Sequence, residues 1–513
     1  MTLLRPSQTP GISLGEIGKQ LGVEVPPDRA TVRVTGVELD SKKIVPGDIF
    51  VALPGSHQHG ASFGVHSERA GAVAILTDKA GTQFLSDVKL PVLVSERPRE
   101  LLGSLAAEIY GSSDSTRLTF GITGTNGKTS IAYALASVLE SAGIVTALST
   151  TAERRIGAQE VPSGLTTPEA PELHSFLAAA REAGVGAVAL EVSAQALTRH
   201  RVSGIHFDVA CFANLSHDHL DDYATLDDYF AAKCALFSPE VSSRGVVCVD
   251  DSWGKILAET ALIPIETVTM NPEVEADWHV EVTSESFEQT TFRIRGKGVT
   301  IGSSVPVLGR FMALNAALAI VMAISAGVPV ENLVAAVTSD AGIPVYIPGR
   351  LEVVSGTEGP VAVVDYGHTP EAFRVCLDAL RRVTSGKIIM VFGADGDRDT
   401  LKRPELGAIA ARLADAVIVT DYHPRSEDPA MIRSALLAGA RAARPDGLVF
   451  EQPDPARAVR EAVAMARAGD VIFYAGPGHE SYREVAGSRI SYSARDDMRA
   501  ALSEAGYPTG GLE

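Results

Sequence analysis

Apolar runs in this chain fall into stretches with different spacing. The first stretch carries short strand-like runs at residues 31–37, 48–53 and 72–76, set among glycine and proline turns. Runs of this kind, bounded by turn residues, are typical of β-strands. The pattern predicts a small, strand-containing N-terminal domain.

Buried apolar runs alternate with helical patterns in the middle of the chain. A predicted strand at residues 118–122 leads through a glycine-rich turn into a helix at about residues 130–142, with Gly143 as its stop. Further buried strands are predicted at residues 187–192 and 209–215. A small polar linker at residues 112–115 precedes this stretch. The alternation predicts a parallel sheet with crossover helices.

A third stretch begins near Pro348 and Gly349. Its strand-like runs, again separated by helical patterns, are at residues 361–364, 387–392, 416–419 and 470–474. They predict a second doubly wound, Rossmann-like domain. A chain of 513 residues should form about three domains at roughly 150 residues each. We therefore predict an α/β protein with domains at residues 1–105, 106–345 and 346–513.

Composition narrows the classes of function. A net charge of −18 argues against a nucleic-acid binder, because phosphate backbones are bound by Lys and Arg. Four cysteines without a Cys-x-x-Cys pair indicate a reducing compartment. We expect no signal peptide in residues 1–10, and the most apolar stretch, 313–328, is shorter than the roughly 20 residues of a membrane span. These features predict a cytoplasmic protein without a membrane anchor.

The strongest motif lies between the first central strand and its helix. It reads Gly121-Ile122-Thr123 followed by Gly124-Thr125-Asn126-Gly127-Lys128-Thr129-Ser130. Glycines let backbone N–H groups face a polyphosphate, Lys128 supplies a positive charge, and the Thr129 hydroxyl can hold Mg²⁺. Ile122 departs from the standard spacing of phosphate loops. Strand, loop, Lys-Thr pair and helix nevertheless agree, and together they predict a central domain of the phosphate-loop ATPase type.

Two more polar sites follow predicted strands. Glu191 ends a buried run, where a carboxylate is costly in a core but suits a metal at a strand's carboxyl end. The run Asn214-Leu215-Ser216-His217-Asp218-His219-Leu220-Asp221 follows the next strand, and His219 can bind a metal as neutral imidazole. Lys233, taken alone, is typical of a helix surface.

In this order the motifs resemble those of the Mur ligases, and the loop at residues 123–129 also resembles that of folylpolyglutamate synthetases. Residues 214–221 match Asn-Leu-x-x-Asp-His-Leu-Asp, and Asp365-Tyr366-Gly367-His368-Thr369-Pro370 is similar to Asp-Tyr-Ala-His-Thr-Pro. The resemblance spans about residues 35–485. It implies the three-domain Mur ligase architecture. It also implies a reaction in which ATP converts a carboxylate to an acyl phosphate that an amine then attacks.

The resemblance implies ATP and Mg²⁺ as cofactors, and it assigns roles to individual residues. The lysine matching Lys233 is carbamylated in relatives with this pattern, so an anion is expected there. Expected catalytic residues are Lys128, Glu191, His219 and Lys233; expected Mg²⁺ ligands are Thr129, Glu191, His219 and Lys233. Expected ATP contacts are Gly124, Thr125, Asn126, Gly127, Lys128, Thr129, Ser130, Asn315, Arg350, Asp365 and His368.

The N-terminal domain is expected to grip UDP, because Asp40-Ser41-Lys42 resembles the family's Asp-Ser-Arg. Lys42 replaces the usual Arg, and Met312 departs from the family pattern that precedes Asn315. Arg199 is a further departure, near the expected substrate contacts. Expected contacts to the UDP-N-acetylmuramoyl dipeptide are Ser41, Thr166, Thr167, Ser193, Arg201 and Lys233.

The amino-acid pocket shows the most informative departures. Residues 393–403 resemble Gly-x-Gly-Gly-Asp-Arg-Asp-x-x-Lys-Arg but read Gly-Ala-Asp-Gly-Asp-Arg-Asp-Thr-Leu-Lys-Arg. Family members that add diaminopimelate carry Asp-Asn-Pro-Arg, which is here Tyr422-His423-Pro424-Arg425. Gly476-Pro477-Gly478-His479-Glu480 resembles Gly-Lys-Gly-His-Glu. Expected amino-acid contacts are Arg398, Tyr422, His423, Arg425, Gly476 and Glu480.

These residues imply a ligase that adds the third, diamino residue to UDP-N-acetylmuramoyl-L-alanyl-D-glutamate. Glu480 is expected to meet the side-chain amine. The loss of Asp and Asn favours L-lysine, then ornithine, with meso-diaminopimelate as the alternative. With lysine bound, Arg425 is expected to turn outward to Glu427 or Asp428, which are near in sequence.

Other readings remain open at the sequence level. Within the superfamily, the alternatives are a folate ligase and a ligase for another peptidoglycan residue. Outside it stand a phosphate-loop switch or motor and a non-catalytic binding module. Amino-acid-dependent phosphate release separates the ligase from the motor. We expect a monomer whose partners are its small-molecule substrates.

Overall fold

The computed structural model describes residues 5–55, 57–113, 117–218, 222–338 and 342–510. Three main sheets follow one another along the chain, each with its own helices. His219, Leu220 and Asp221 lie outside the described residues, as do Asp114 and Ser115 of the predicted linker.

The N-terminal sheet has four parallel strands in the order β3-β4-β5-β6. Its apolar face packs against α1 and α3, and α3 begins with Pro98, whose fixed φ suits the first turn of a helix. Its strands are β3 Gly36–Glu38, β4 Asp48–Ala52, β5 Ala74–Thr77 and β6 Val92–Val94, and β1 Ile12–Ser13 and β2 Arg33–Val34 form a separate two-stranded sheet; the helices are α1 Leu14–Leu21, α2 Gly64–Ala70 and α3 Pro98–Tyr110.

The central sheet has eleven strands, parallel in its middle and extended by antiparallel hairpins at both edges. The strands are β7 Leu118–Thr123, β8 Thr146–Ser149, β9 Glu153–Ile156, β10 Gln159–Pro162, β11 Ala187–Glu191, β12 Val209–Phe212, β13 Gly245–Cys248, β14 Ile265–Thr269, β15 Trp278–Glu285, β16 Thr290–Gly296 and β17 Val299–Val305. The helices are α4 Lys128–Ser141, α5 Ala170–Glu182, α6 Ala194–Thr198, α7 Leu226–Cys234, α8 Ser252–Thr260, α9 Arg310–Ser325 and α10 Val330–Val337.

Helices cover both faces of the parallel part of this sheet. Phe120 and Ile122 of β7 face the core that contains α4 and α9, whereas Val188 and Leu190 of β11 face the core that contains α5. Because both faces are buried, apolar residues fill most positions of these strands. The neighbours of β7 are β11 and β12, so their carboxyl ends meet at one edge. That edge carries the phosphate loop.

The C-terminal sheet has six strands in the order β18-β19-β23-β20-β21-β22, with only β18 antiparallel to its neighbour. Alternate residues of its strands face separate cores, as with Met390 and Val391 of β20. Its strands are β18 Glu352–Val353, β19 Val361–Asp365, β20 Ile388–Phe392, β21 Ala416–Val419, β22 Leu448–Glu451 and β23 Val471–Ala475; β24 Tyr482–Val485 and β25 Ser488–Ser491 form a separate two-stranded sheet. The helices are α11 Pro370–Val383, α12 Lys402–Leu413, α13 Pro429–Ala443, α14 Pro455–Met465 and α15 Ala494–Glu504.

The predicted α/β class, the central parallel sheet and the second doubly wound domain are confirmed. The predicted boundaries stay predictions: residue 105 lies within α3, and residue 345 lies between α10 and β18. The apolar stretch at residues 313–328 forms most of α9, which is buried against α4. Within the described ranges, no helix has both the length and the apolar character to cross a membrane.

Candidate active site

The phosphate loop connects β7 to α4 and is pinned by the loop after β12. Gly124 and Gly127 have φ values of +150° and +89°, which favour glycine. Asn214 accepts a hydrogen bond from the Thr125 N–H at its carbonyl (3.0 Å) and one from the Asn126 N–H at its side-chain oxygen (2.9 Å). Asn315 of α9 lies against Gly127, where an added Cβ would stand 2.7 Å from its Oδ1. The loop conformation is therefore fixed from both sides.

Lys128, which is half-buried, and Lys233, which is buried, face the same point of this loop. Lys128 Nζ donates to the carbonyls of Gly124 (3.0 Å) and Thr125 (2.9 Å), and Lys233 Nζ donates to that of Gly124 at 2.8 Å. Lys233 also lies 4.3 Å from the centroid of the Tyr229 ring. Neither lysine forms a salt bridge within the described part of the chain.

Burial lowers the pKa of both lysines. For Lys128, the charges of Glu191 and Asp218 oppose that effect. The pKa of Lys233 lies well below its usual value, because burial and the nearby Lys128 charge outweigh the attraction of Asp218. A neutral amine at Lys233 is the form that can react with carbon dioxide.

Glu191 ends β11 beside the phosphate loop. Its carboxylate accepts hydrogen bonds from the N–H and hydroxyl of Thr151, at 2.9 and 3.1 Å. The described residues contain no group of three His, Cys, Asp or Glu side chains arranged to hold a metal. Glu191 and the Thr129 hydroxyl nevertheless supply the oxygen donors that Mg²⁺ prefers, beside a loop shaped for phosphate. This donor set fits a metal bound together with a polyphosphate.

Residues predicted to contact the nucleotide-linked peptide lie next to Glu191. The hydroxyl of Thr167 donates to the Glu191 carbonyl (2.8 Å) and accepts from the Ser193 N–H (3.0 Å). The Thr166 hydroxyl donates to the Thr151 hydroxyl at 3.0 Å, because the single Thr151 hydroxyl proton is donated to Glu191. Arg201 donates to the Thr167 carbonyl at 3.2 Å and pairs with Glu169 at 3.0 Å.

A cavity of about 240 Å³ lies between the N-terminal and central domains. Leu39 and Asp40, which precede the buried Ser41, line one side of it. Leu165, which precedes Thr166, and Glu169 line the other. The cavity therefore joins the two stretches that the sequence assigns to the same nucleotide-linked substrate.

The C-terminal domain reaches the phosphate loop through Arg350. Its Nη2 donates to the Thr129 hydroxyl at 3.0 Å, and its guanidinium carbon stands 4.5 Å from the centroid of the Tyr366 ring. Asp365 is buried and accepts hydrogen bonds from the backbone N–H of Leu351 (2.8 Å) and Gly367 (2.6 Å). Asp365 therefore holds the segment that carries Arg350.

Two side-chain contacts also join the central and C-terminal domains beside the loop. Lys402 of α12 pairs with the buried Asp218 at 3.3 Å, and the His217 ring meets Asp399 at 3.2 Å. His368 Nδ1 donates to the Tyr366 carbonyl at 2.9 Å. The phosphate loop and the C-terminal domain thus meet across a closed cleft.

Glu480 is held by Tyr422 and His423. One carboxylate oxygen accepts from the Tyr422 hydroxyl and lies 2.7 Å from His423 Nε2. His423 Nδ1 accepts the Glu484 N–H at 2.8 Å, so the proton of the neutral ring sits on Nε2 and points at Glu480. The two bulky residues that replace Asp and Asn therefore anchor the carboxylate expected to meet the substrate amine.

Arg425 is bound by carboxylates that the sequence did not suggest. Its Nη2 donates to Asp395 and its Nε donates to Glu484, both at 3.1 Å. The expected pairing with Glu427 or Asp428 is wrong. Glu427 forms a salt bridge with Arg403, and the Asp428 side chain caps the N-terminus of α13.

The remaining predicted site residues form fewer side-chain contacts. Arg398 is exposed, and no hydrogen bond or salt bridge joins it to another residue in the described ranges. The Gly476 N–H donates to the Asp365 carbonyl at 2.9 Å. His479 makes a backbone hydrogen bond to Thr151, and burial with the charges of Arg350 and Arg495 lowers its pKa to about 3.

Five residues at the site were absent from the expected set. Asn214 and Asp218 belong to a motif that the sequence did reveal, whereas the pairing of the others depends on strand order. The five residues that were absent from the expected set are Asn214, Asp218, Asp395, Lys402 and Glu484.

Family models match the chain in three stretches. The model described as Mur ligase family, catalytic domain, matches residues 33–110; the Mur ligase middle domain matches 122–323. The model described as Mur ligase, glutamate ligase domain, matches residues 349–478.

Comparisons with individual proteins point to the same family as these models. The chain is 54% identical over 505 residues to a UDP-N-acetylmuramyl-tripeptide synthetase of Leifsonia xyli subsp. xyli, with 98% of both chains covered. It is 41% identical over 509 residues to a UDP-N-acetylmuramoyl-L-alanyl-D-glutamate--2,6-diaminopimelate ligase of Streptomyces coelicolor, with 98% of both covered. A solved structure of a ligase with that second name has a TM-score of 0.65 at 28% identity and covers 97% of this chain and 100% of its own. The chain belongs to the Mur ligase family. It is an ATP-dependent ligase with the three-domain fold of that family.

Proposed function

We propose that this ligase adds the third residue, a diamino acid, to UDP-N-acetylmuramoyl-L-alanyl-D-glutamate during peptidoglycan synthesis. The observation that carries the proposal is the anchored Glu480, held by Tyr422 and His423. It lies in the domain whose Arg350 contacts the phosphate loop. The names of the two relatives, a tripeptide synthetase and a diaminopimelate ligase, support the same reaction.

The reaction joins three substrates in the cleft. A substrate carboxylate oxygen attacks the γ-phosphorus of ATP and ADP leaves, which gives an acyl phosphate. The amino group of the incoming residue then attacks the acyl carbon, phosphate leaves, and an amide forms. Lys128 and the backbone of the phosphate loop offset the negative charge that builds on the transferring phosphoryl group.

The predicted ligands Thr129, Glu191, His219 and a carbamylated Lys233 would hold Mg²⁺ beside the phosphate loop. Mg²⁺ supplies positive charge at the phosphate oxygens. The burial of Lys233 beside Lys128 supports carbamylation, because it favours the neutral amine that reacts with carbon dioxide, and the resulting anion would lie beside the Lys128 charge. We keep the predictions of a cytoplasmic location and a monomer.

For the amino acid, we propose L-lysine first and ornithine next. Arg425 is the residue expected to bind a distal carboxylate, and here two carboxylates of the protein occupy it. Glu480 remains to receive a side-chain ammonium. The alternative is meso-diaminopimelate, which the name of the Streptomyces coelicolor relative favours.

The test is an amino-acid panel of lysine, ornithine, diaminobutyrate and meso-diaminopimelate, with ATP and the UDP-dipeptide, read by product mass. We expect a product with lysine and phosphate release that depends on the amino acid. Phosphate release without any amino acid would point instead to a motor or switch. A large preference for meso-diaminopimelate would leave the reaction in place and overturn the choice of lysine.

A further inference from the structure

One residue of the pocket departs from the family pattern in a way that changes its charge. The pattern Gly-x-Gly-Gly-Asp-Arg has glycine at its third position, where this chain has Asp395. Asp395 follows β20 and Arg425 follows β21, and these strands are parallel neighbours in the sheet. Strand order therefore brings together residues that are 30 positions apart, and their side chains meet at 3.1 Å.

All three side-chain nitrogens of Arg425 are engaged by the protein. Nη2 donates to Asp395 and Nε donates to Glu484, both at 3.1 Å, while Nη1 donates to the Gly396 carbonyl at 3.3 Å. A substrate carboxylate is bound most strongly by two parallel N–H groups of one guanidinium. In this pocket, Nη2 and Nε of Arg425 are each bound by a different carboxylate of the protein, Asp395 and Glu484.

Asp395 also acts on the rest of the pocket. Its charge contributes to the raised pKa values of Tyr366 and Tyr422, after the larger effects of burial and of Glu480. Asp395 and Glu480 therefore both act on the same aromatic residues. A second carboxylate on the incoming amino acid would meet like charges, and such juxtaposition costs several kcal/mol across an interface.

We propose that Asp395 is a specificity-determining residue of the amino-acid pocket. Its carboxylate occupies the position at Arg425 that the distal carboxylate of diaminopimelate would need, so the pocket selects diamino acids without that carboxylate. This inference rests on the proposed function, and it names the residue that sets the substrate class.

The test compares wild type with Asp395→Gly, which restores the family residue, and Asp395→Asn, which keeps the side-chain volume. Glu504→Gln is the matched control, because it removes one carboxylate from an ion pair with Arg460 between α14 and α15. For each protein, kcat/KM is measured with lysine and with meso-diaminopimelate. Thermal unfolding verifies that each variant is folded.

We expect the ratio of diaminopimelate to lysine kcat/KM to rise at least about tenfold in both Asp395 variants, mostly through KM for diaminopimelate. The control should leave the ratio unchanged. Adding Arg425→Ala to Asp395→Gly should abolish the gain, because the freed guanidinium is what binds the distal carboxylate. If Asp395 had a purely structural role, adding Arg425→Ala would not remove the gain in the kcat/KM ratio.

Other results overturn the inference. An unchanged ratio in folded variants shows that Asp395 does not set the choice. A loss of lysine use without a gain for diaminopimelate shows that Asp395 contacts the substrate ammonium instead. A wild type that prefers diaminopimelate overturns the inference while the proposed ligation stands, whereas a wild type that ligates no amino acid overturns both.

Discussion

Lys128 and Lys233 donate hydrogen bonds to one and the same acceptor, the carbonyl of Gly124, at 3.0 and 2.8 Å. One lysine starts α4 and the other lies near the end of α7, so the loop between β7 and α4 is held from both directions. The Lys128 charge lowers the pKa of Lys233 by repulsion, in addition to the larger effect of burial. A polyphosphate beside Lys128 or a carbamate at Lys233 would offset that repulsion.

Lys128→Ala should abolish ligation without unfolding the protein. Removing a preorganised charge from a transferring phosphoryl group costs about 3 kcal/mol or more, so kcat should fall at least about a hundredfold. The measurement is amino-acid-dependent phosphate release, with circular dichroism to verify folding. Lys255→Ala is the control, because Lys255 is exposed on α8 of the same domain. Near-normal turnover in a folded Lys128→Ala protein would contradict the role given to this loop.

Lys233 should carry a carbamate in the active enzyme. Its amine is buried and its pKa lies well below the usual value, so the neutral form that attacks carbon dioxide is more available than in an exposed lysine. Lys233→Ala should lose activity, and added short-chain carboxylates should restore part of it. Wild-type activity should fall in bicarbonate-depleted buffer and return when bicarbonate is added. A high-resolution structure of active enzyme with a plain ammonium at Lys233 would end the idea.

Glu480→Gln should weaken recognition of the side-chain amine. A charged hydrogen bond contributes about 1.5–3 kcal/mol, so KM for lysine should rise about tenfold or more while kcat changes less. Norleucine, which lacks the side-chain amine, should be used equally poorly by wild type and variant. Glu358→Gln, at an exposed position of the same domain, is the control. Equal KM values for lysine in wild type and Glu480→Gln would show that another group meets the amine.

The buried His174 should make stability depend on pH. The Nε2 atom of His174 lies 2.9 Å from the Ser203 carbonyl, which can only accept a hydrogen bond, so the neutral ring carries its proton on Nε2. Nδ1 then accepts a hydrogen bond from the Ser112 hydroxyl at 2.7 Å. Burial lowers the pKa of His174 from 6.5 to about 4. The unfolded chain therefore takes up a proton first as pH falls, and stability is lost between about pH 6.5 and 4.

The contribution of His174 reaches up to about 3 kcal/mol, at about 1.36 kcal/mol per pKa unit. His174→Gln should have a lower Tm than wild type at pH 7.5, and its Tm should fall less steeply between pH 6.5 and 4. His66→Gln, at an exposed position on α2, should retain the wild-type slope. Parallel slopes for wild type and His174→Gln would contradict the assignment.

The parts of the fold that the sequence predicted well are those whose signal is local. The run before the phosphate loop is apolar on both faces and became β7. Gly143, with φ of +84°, follows the end of α4 as a helix stop should. The antiparallel strands β15–β17 were not predicted, although β15 alternates apolar with polar residues from Trp278 to Thr283, a pattern typical of a half-buried strand.

In the candidate site, too, the features with a local sequence signal were predicted and the long-range contacts were not. The phosphate loop is contiguous, so one motif reveals its geometry. The partners of Arg425 are 30 and 59 residues away, and only the strand order and the β24–β25 hairpin bring them near. Proximity in sequence pointed to Glu427 instead. A salt bridge between loops of different strands cannot be inferred until the topology is known.

Most side chains of the proposed amino-acid pocket lie in loops that follow strands of one sheet. Asp395 follows β20, Tyr422 and His423 follow β21, and Glu480 follows β23, whereas the phosphate loop follows β7 of another sheet. The last domain therefore carries both these loops and Arg350, which reaches the phosphate loop. A substitution in one of the three loops can change the preferred amino acid while β7 and the phosphate loop keep their structure.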